Sequence, residues 1–209
     1  EVSMSHLTNQ ATGAPLHLVG VVLAGGLSTR LGADKKRLFL HQDGDMLAHS
    51  VALLQTCVPE VLVSCQAGAD LPYVCLPDDV AAQGPVGALY TVLRHVQNPI
   101  LVLSCDLPFM DTTTLQRLIA AHEKRAQGAL MTTFQQAETG YIEALVAVYE
   151  PACLPLFAAA QGSGQRQLNR VVPATLREHI RYEQQDALPF FNLNTPADLA
   201  IARRIVAAS

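Results

Sequence analysis

The sequence has few charged residues and no excess of positive ones. Charged side chains make up 15% of the 209 residues, and 14 basic against 18 acidic residues give a formal net charge of −4. A chain with this balance has no global positive field that would gather nucleic acid or an anionic lipid surface. Any polyanion that it binds must therefore be small and held by a local group of cations.

The sequence also lacks a C-x-x-C pair and any cluster of cysteine with histidine, which argues against a disulfide framework and a zinc site. Reduced and mostly buried thiols are expected for the odd set of five, Cys57, Cys65, Cys75, Cys105 and Cys153. No apolar run reaches the roughly 18 residues of a transmembrane helix, and residues 1–15 lack the basic and apolar regions of a signal peptide. We expect a cytoplasmic protein with a flexible tail over residues 1–16 and a single domain over residues 17–209.

What the chain does contain is a regular alternation of short β-branched runs with longer stretches of helical period, which indicates βαβ units. Strands are predicted at residues 17–23, 60–65, 73–76, 100–104, 129–133, 144–149 and 177–182. Helices are predicted at residues 46–57, 86–96, 112–127, 151–160, 165–172 and 196–207. The expectation is a doubly wound α/β fold with a mostly parallel sheet and helices on both faces. Its ligand site should lie at the carboxyl ends of the strands, near a topological switch point.

Residues 23–36, LAGGLSTRLGADKK, directly follow the first predicted strand. Gly25 and Gly26 have no Cβ, so their backbone N–H groups can approach an oxyanion closely, as in a phosphate cradle. Arg30 could clamp phosphate oxygens, and Lys35 adds a compact positive charge. The segment matches neither the P-loop pattern nor the dinucleotide fingerprint, which weakens kinase-type and NAD-type interpretations. A glycine turn with a solvated basic face is the alternative.

Asp106 follows the hydrophobic strand predicted at residues 100–104, and Pro108 ends the strand pairing. Its carboxylate should emerge at the same sheet edge as the glycine loop. One carboxylate beside substrate phosphates is sufficient for Mg²⁺, which keeps most of its water ligands. The alternative is an aspartate that only forms a turn.

Two further segments carry polar side chains that suit a ligand. Asp78 could accept hydrogen bonds from a base or a ribose, or could cap a turn. Asn192 and Asn194 could bind a ligand through their amide groups, or could shape the turn before the last helix. That helix has a strong start signal in Thr195, Pro196 and Asp198.

Four segments of the chain resemble the molybdenum cofactor guanylyltransferases. Residues 23–35 resemble the family's L-A-G-G-x-S-x-R-M-G-x-D-K signature, with Leu31 in the place of Met. Residues 105–109, CDLPF, resemble its C-D-M-P-F segment, and residues 192–199, NLNTPADL, resemble its N-I-N-T-P-x-D-L ending. Residues 84–88, GPVGA, depart from the family's G-P-L-x-G because Ala88 replaces the second glycine.

The resemblance implies a Rossmann-like nucleotidyltransferase in which the terminal phosphate of molybdopterin attacks the α-phosphorus of GTP and pyrophosphate leaves. It implies backbone contacts to the nucleotide from Leu23, Ala24 and Gly25, phosphate binding by Lys35, nucleoside contact by Asp78 and Mg²⁺ ligation by Asp106. Arg30 joins Lys35 and Asp106 as a catalytic candidate on its charge and position, and the motif match favours Asn192 and Asn194 as ligands of the pterin or its phosphate.

The family also has a nucleotide-contacting Asn after its second strand, where this chain has Ser64, Cys65 and Gln66. GTP and molybdopterin are the implied partners, together with transient contact to proteins that carry or accept the cofactor. Neither nucleic acid nor a membrane is implied.

Other functions stay open. Molybdopterin cytidylyltransferases are expected to show L-A-A-G and P-K, so Gly25-Gly26 and Asp34-Lys35 favour guanine. Sugar-phosphate nucleotidylyltransferases share the fold but usually have a longer chain. A nucleotide-binding module without turnover is the alternative from outside the enzymes, since a fold can outlast its chemistry.

Overall fold

The predicted alternation of strands and helices is present in the computed structural model, which describes residues 17–24, 39–41, 44–78 and 84–208. The strands are β1 (Val19–Leu23), β2 (Phe39–His41), β3 (Gly44–Asp45), β4 (Glu60–Cys65), β5 (Cys75–Pro77), β6 (Ile100–Ser104), β7 (Met131–Gln136), β8 (Ile142–Tyr149) and β9 (Arg177–Tyr182). The helices are α1 (Met46–Gln55), α2 (Gly84–His95), α3 (Thr112–Glu123), α4 (Leu154–Gly162) and α5 (Pro196–Ala208).

Seven strands form one sheet in the order β5-β4-β1-β6-β8-β7-β9, and β2 pairs with β3 in a separate hairpin. All neighbours in the large sheet are parallel except β8, which runs antiparallel to both β6 and β7. After β1 the chain first forms β4 and β5 on one side of β1, and later forms β6 on the other side. The carboxyl ends of β1 and β6 therefore flank the topological switch point, where α/β sheets bind their ligands.

Both faces of the sheet are covered by helices. On the first face, Val22 and Leu103 pack with side chains of α1 and α3. On the second face, Val21 and Val102 pack with side chains of α2 and α4. All residues of β1 and β6 are buried, which is why these strands carry no charged side chain and are almost entirely apolar, with Ser104 at the end of β6 as the polar exception. The predicted fold class, a mostly parallel sheet with helices on both faces, is confirmed.

The helix predicted at residues 165–172 is wrong. Only a single 3₁₀ turn forms there, at Leu168–Arg170. Gly164 precedes it with a φ of +70°, and Pro173 follows it. The Arg177 side chain instead stabilises a non-helical conformation of this segment by donating hydrogen bonds to the carbonyls of Val172 and Asn169, each at 2.7 Å.

The predicted start of α5 is present as a capping box. The Asp198 carboxylate accepts from the backbone N–H groups of Asn194 at 2.9 Å and Thr195 at 2.7 Å, and the Thr195 hydroxyl accepts from Asp198 N at 3.2 Å. None of the helices in the described part of the chain combines the length and the apolarity that crossing a bilayer needs.

Candidate active site

The end of β1 lies between two serine residues at the carboxyl edge of the sheet. In the strand registers, Leu23 pairs with Ser64 of β4 on one side and with Ser104 of β6 on the other. Past the strand, Ala24 N donates to Ser64 O at 3.0 Å and Cys105 N donates to Leu23 O at 3.4 Å. The chain segment that enters the glycine loop therefore starts beside the segment that carries Asp106.

Asp106 follows directly on the end of β6, in a partly exposed position at this edge. The Ser104 hydroxyl donates to Asp106 Oδ1 at 2.6 Å, and Ser104 itself is 8% exposed. A charge-assisted hydrogen bond of this length fixes the orientation of the carboxylate. The sequence alone predicts the edge position of Asp106, but it does not predict the serine that orients it.

A second pair of the same kind lies on the other side of β1. The Ser64 hydroxyl, which is buried, donates to Asp78 Oδ1 at 2.7 Å, and Asp78 N donates to Cys65 O at 2.9 Å. Ser64 therefore orients Asp78 as Ser104 orients Asp106. A small hydroxyl residue at the end of an apolar strand is the signal that could have identified both serines.

The segment before α5 is tied to the segment that carries Asp106. Leu193 is fully buried, and its N–H donates to Asp106 O at 2.9 Å. The rings of Phe109 and Phe191 pack with their centroids 5.7 Å apart. These contacts bring Asn192 to the same edge, whereas Asn194 is exposed and its backbone N–H takes part in the α5 cap.

A cleft of about 340 Å³ opens at the end of β6, where it is lined by Ser104 and Leu107. Its walls come from the start of α2, the end of β6, the start of β8 and residues 167–170, and they include Ser104 and Asn192. Asn192 Oδ1 is buried in this wall and has no hydrogen-bond partner among the described residues. Such an atom costs free energy unless a ligand or water satisfies it.

Glu143 contributes a carboxylate to the same cleft. Its Oε1 accepts a hydrogen bond of 2.5 Å from the hydroxyl of Tyr182, which is 6% exposed. Burial raises the pKa of Glu143, and the hydrogen bond from Tyr182 opposes that shift. Burial, together with the nearby Glu143 carboxylate, raises the pKa of Tyr182. Glu143 is a site residue that was not predicted: it is the one acid in the apolar strand β8, but the sequence does not show that it faces the cleft.

Several of the predicted site residues lie outside the described residues: Gly25, Gly26, Arg30 and Lys35. Ala88, which replaces a family glycine, is 5% exposed and packs in the core of the second face. Its methyl group therefore has a packing role in α2.

A switch point with two serine-oriented carboxylates and an adjoining polar cleft can hold a nucleotide and a second substrate side by side. No group of three or more His, Cys, Asp or Glu side chains in the described ranges could enclose a metal by itself.

Residues 20–181 match the MobA-like NTP transferase domain, and the chain belongs to this family. It is 31% identical over 202 residues to a probable molybdenum cofactor guanylyltransferase of Chloroflexus aggregans, a match that covers 90% of this chain and 96% of the relative. It is 30% identical over 203 residues to a molybdenum cofactor guanylyltransferase of Rhizobium johnstonii, with 90% and 92% covered. The family resemblance predicted from the four motifs is confirmed, and the chain is a nucleotidyltransferase.

Solved structures show the same fold at lower identity. Molybdopterin-guanine dinucleotide biosynthesis protein A from Archaeoglobus fulgidus superposes with a TM-score of 0.71 at 22% identity, covering 91% of this chain and all of that one. 2-C-methyl-D-erythritol 4-phosphate cytidylyltransferase from Thermus thermophilus superposes with a TM-score of 0.61 at 19% identity, with 90% and 98% covered. The fold thus occurs in proteins whose names specify different bases.

Proposed function

We propose that this protein transfers GMP from GTP to the terminal phosphate of molybdopterin, forming the guanine dinucleotide cofactor and pyrophosphate. The observation that carries the proposal is the position of Asp106 in a chain of this family. Its serine-oriented carboxylate lies next to the end of β1, where the glycine loop begins. The names of the relatives from Chloroflexus aggregans and Rhizobium johnstonii support guanylyl transfer as the reaction.

The residues at this edge fit Mg²⁺, which would be held by the Asp106 carboxylate together with substrate phosphates. Asp106 presents hard oxygen ligands in a partly exposed position, as an ion that retains its waters requires. Bound Mg²⁺ supplies positive charge that offsets the negative charge gathering on the reacting phosphates. The carboxylate is kept in place by Ser104, so little reorganisation is needed on binding.

The remaining roles follow the chain's own motifs. Arg30 and Lys35 bind the triphosphate and offset its charge, and the N–H groups of Gly25 and Gly26 cradle its oxygens. Leu23 and Ala24 form the strand end against which the nucleotide lies; because Ala24 N already donates to Ser64, the cradle's donors come from the glycines.

Asp78, oriented by Ser64, accepts hydrogen bonds from the nucleoside. Asn192 and Asn194 bind the acceptor. The attacking group is a phosphate already ionised at neutral pH, so the reaction depends on positioning and charge more than on a strong base.

The proposal is tested by incubating the protein with metal-loaded molybdopterin, Mg²⁺ and each of GTP, CTP and ATP, followed by assay of dinucleotide and pyrophosphate. Formation of the guanine dinucleotide with GTP alone is expected. A product with CTP would make the protein a cytidylyltransferase, and nucleotide binding without pyrophosphate would make it a non-catalytic module. Asp106→Asn should abolish turnover, whereas Asp70→Asn, a change to an exposed acid, should leave it intact.

The setting of this reaction is part of the same proposal. We place it in the cytoplasm, with transient docking of the proteins that carry or accept the cofactor. Pull-down of a molybdenum cofactor carrier by the product-loaded protein, and not by the free protein, would support that docking.

A further inference from the structure

We propose that Glu143 is the specificity-determining residue for the acceptor: its carboxylate accepts hydrogen bonds from the amino group and the adjacent ring N–H along one edge of the acceptor's pterin. The inference rests on the proposed transfer to molybdopterin, and Tyr182 is the positioning residue that orients Glu143.

The carboxylate of Glu143 is oriented and also able to bind. Oε1 accepts from the Tyr182 hydroxyl at 2.5 Å, while Oε2 has no hydrogen-bond partner among the described residues. Tyr182 is itself fixed by stacking on Phe190, with ring centroids 4.5 Å apart. Because Glu143 lines the cleft, its Oε2 can accept a hydrogen bond from a ligand bound there.

An irregularity in β8 turns Glu143 towards Tyr182. Thr133 pairs with Ala147 and Gln135 pairs with Ile142, so β8 holds extra residues between these pairs. As a result Val146 packs on the first face of the sheet and Ala144 on the second, although regular alternation would place both on one face.

The irregularity is held in place by a buried hydroxyl. The Thr133 side chain donates to Glu143 O at 2.8 Å and to Val146 O at 3.1 Å, which fixes the bulge from both ends. Bulges commonly re-aim a side chain beside an active site. Here the bulge gives an apolar strand one carboxylate at the mouth of the cleft.

The position of Glu143 separates it from the nucleotide side of the sheet. Asp78 lies at the end of β5, beyond β4, whereas Glu143 lies on β8, beyond β6. Asp106 lies between them, and Ser104, which orients Asp106, also lines the cleft. A pterin at Glu143 would therefore occupy the opposite side of Asp106 from the nucleoside, with its phosphate free to reach Asp106.

The chemistry of a half-buried carboxylate selects donors. The amino group and neighbouring N–H of a pterin present two donors to one carboxylate, whereas a lumazine carries a carbonyl in place of that amino group and would set oxygen against oxygen. A site built for a hydrogen-bond donor rejects an analogue that lacks it. The buried Asn192 Oδ1 offers a further acceptor in the same cleft.

The test measures binding of metal-free molybdopterin by isothermal titration calorimetry, and competition by 6-hydroxymethylpterin and 6-hydroxymethyllumazine, in the full chain without GTP. We expect Glu143→Gln to weaken molybdopterin binding about 10-fold or more and to remove the preference for pterin over lumazine. Tyr182→Phe should weaken binding less, because the carboxylate remains. Glu183→Gln, an exposed change next to Tyr182, is the matched control. GTP affinity should be unchanged in all three.

The outcomes separate this inference from the proposed function. If the wild-type protein transfers GMP and the Glu143→Gln protein keeps the preference for pterin, the inference is overturned and the proposed function stands. Loss of pterin preference in Glu143→Gln without any wild-type transfer would support the inference and overturn the function. Absence of molybdopterin binding by the folded wild-type protein would overturn the inference.

Discussion

At the scale of single residues, the two serine–aspartate pairs beside β1 are the features that prepare the site. Ser104→Ala removes the donor that holds Asp106 Oδ1 at 2.6 Å. A hydrogen bond to a charged group contributes about 1.5–3 kcal/mol, and loss of a residue that orients a metal ligand typically weakens metal affinity 10- to 100-fold. We expect the Mg²⁺ concentration for half-maximal pyrophosphate release to rise about 10-fold, with kcat at saturating Mg²⁺ changed much less.

The matched control for this change is Ser163→Ala, because Ser163 is exposed and its hydroxyl donates only to Ala160 O. The prediction is tested by measuring activity as a function of Mg²⁺ concentration in both variants. If Ser104→Ala and Ser163→Ala have the same Mg²⁺ dependence, the orienting role assigned to Ser104 is wrong.

A second prediction at this scale concerns Cys153. Its thiol is fully buried, it donates to Leu130 O at 3.1 Å, and burial raises its pKa to about 12. At pH 8 the reactive thiolate is therefore only about one part in ten thousand of this cysteine. We expect Cys153 to resist iodoacetamide at pH 8 in the folded protein, while the half-buried Cys75 is alkylated.

Peptide mapping by mass spectrometry over a time course measures both sites at once. Because the folded-state pKa lies above the ordinary value of 9.0, the stability linked to this thiol is present below pH 9 and is lost as the pH rises towards 12. Equal labelling of Cys153 and Cys75 in native protein would contradict the assignment, whereas equal labelling after unfolding is expected.

Residue types explain which parts of the site can be predicted from sequence. Asp106 is predictable because a fully apolar run ends three residues before it, at Leu103, and a proline follows two residues after it. Glu143 is not, because its direction depends on the irregular pairing of β7 with β8, which the local pattern IEALVAVY does not encode. The roles of Ser64 and Ser104 depend on neighbouring strands in the sheet, which are distant in sequence.

At the scale of elements, β1 must approach its neighbours closely, and Gly20 makes that approach possible. A Cβ at Gly20 would lie 2.8 Å from Cγ2 of Val58 and 3.2 Å from Cγ2 of Val61. Overpacking a core of this kind usually costs about 1–3 kcal/mol. We expect Gly20→Ala to lower the free energy of unfolding by that amount, measured by urea denaturation.

Gly162→Ala is the control, since a Cβ at Gly162 would meet nothing within 4 Å and the residue lies in the last turn of α4. That change should be neutral or slightly stabilising, because alanine has the higher helix propensity. A Gly20→Ala protein as stable as the control would show that β1 and the α1–β4 connection can separate without cost.

Helices and strands differ in how far sequence determines them. α5 was predictable because Thr195, Pro196 and Asp198 give a local start signal, and the observed hydrogen bonds are those of a capping box. For residues 165–172 the sequence predicts a helix, yet the side chain of Arg177, five and eight residues further along, binds the carbonyls of Val172 and Asn169 in a non-helical conformation. The reversed direction of β8 likewise comes from pairing across the sheet.

At the scale of the whole molecule, the strands that lead to Asp78 and Asp106 belong to one sheet, and both hydrophobic cores pack against that sheet. A ligand that binds the carboxyl edge of this sheet only in the folded state stabilises the entire chain by mass action. At a GTP concentration of 100 times the dissociation constant, the gain is about 2.7 kcal/mol. For a chain of this size each kcal/mol raises the melting temperature by about 2–4 °C. GTP should therefore raise it by about 5–11 °C.

Magnesium separates the contribution of Asp106 from that of the rest of the site. In the wild-type protein, the stabilisation by GTP should be larger with Mg²⁺ than with a chelator, because the metal would join Asp106 to the phosphates. In Asp106→Asn that increment should disappear, while the stabilisation by GTP without metal stays, since the cations and Asp78 remain. Asp70→Asn should behave as the wild type. A Mg²⁺ increment that survives in Asp106→Asn would place the metal on other ligands, and the shared edge of β1 and β6 would lose its assigned role.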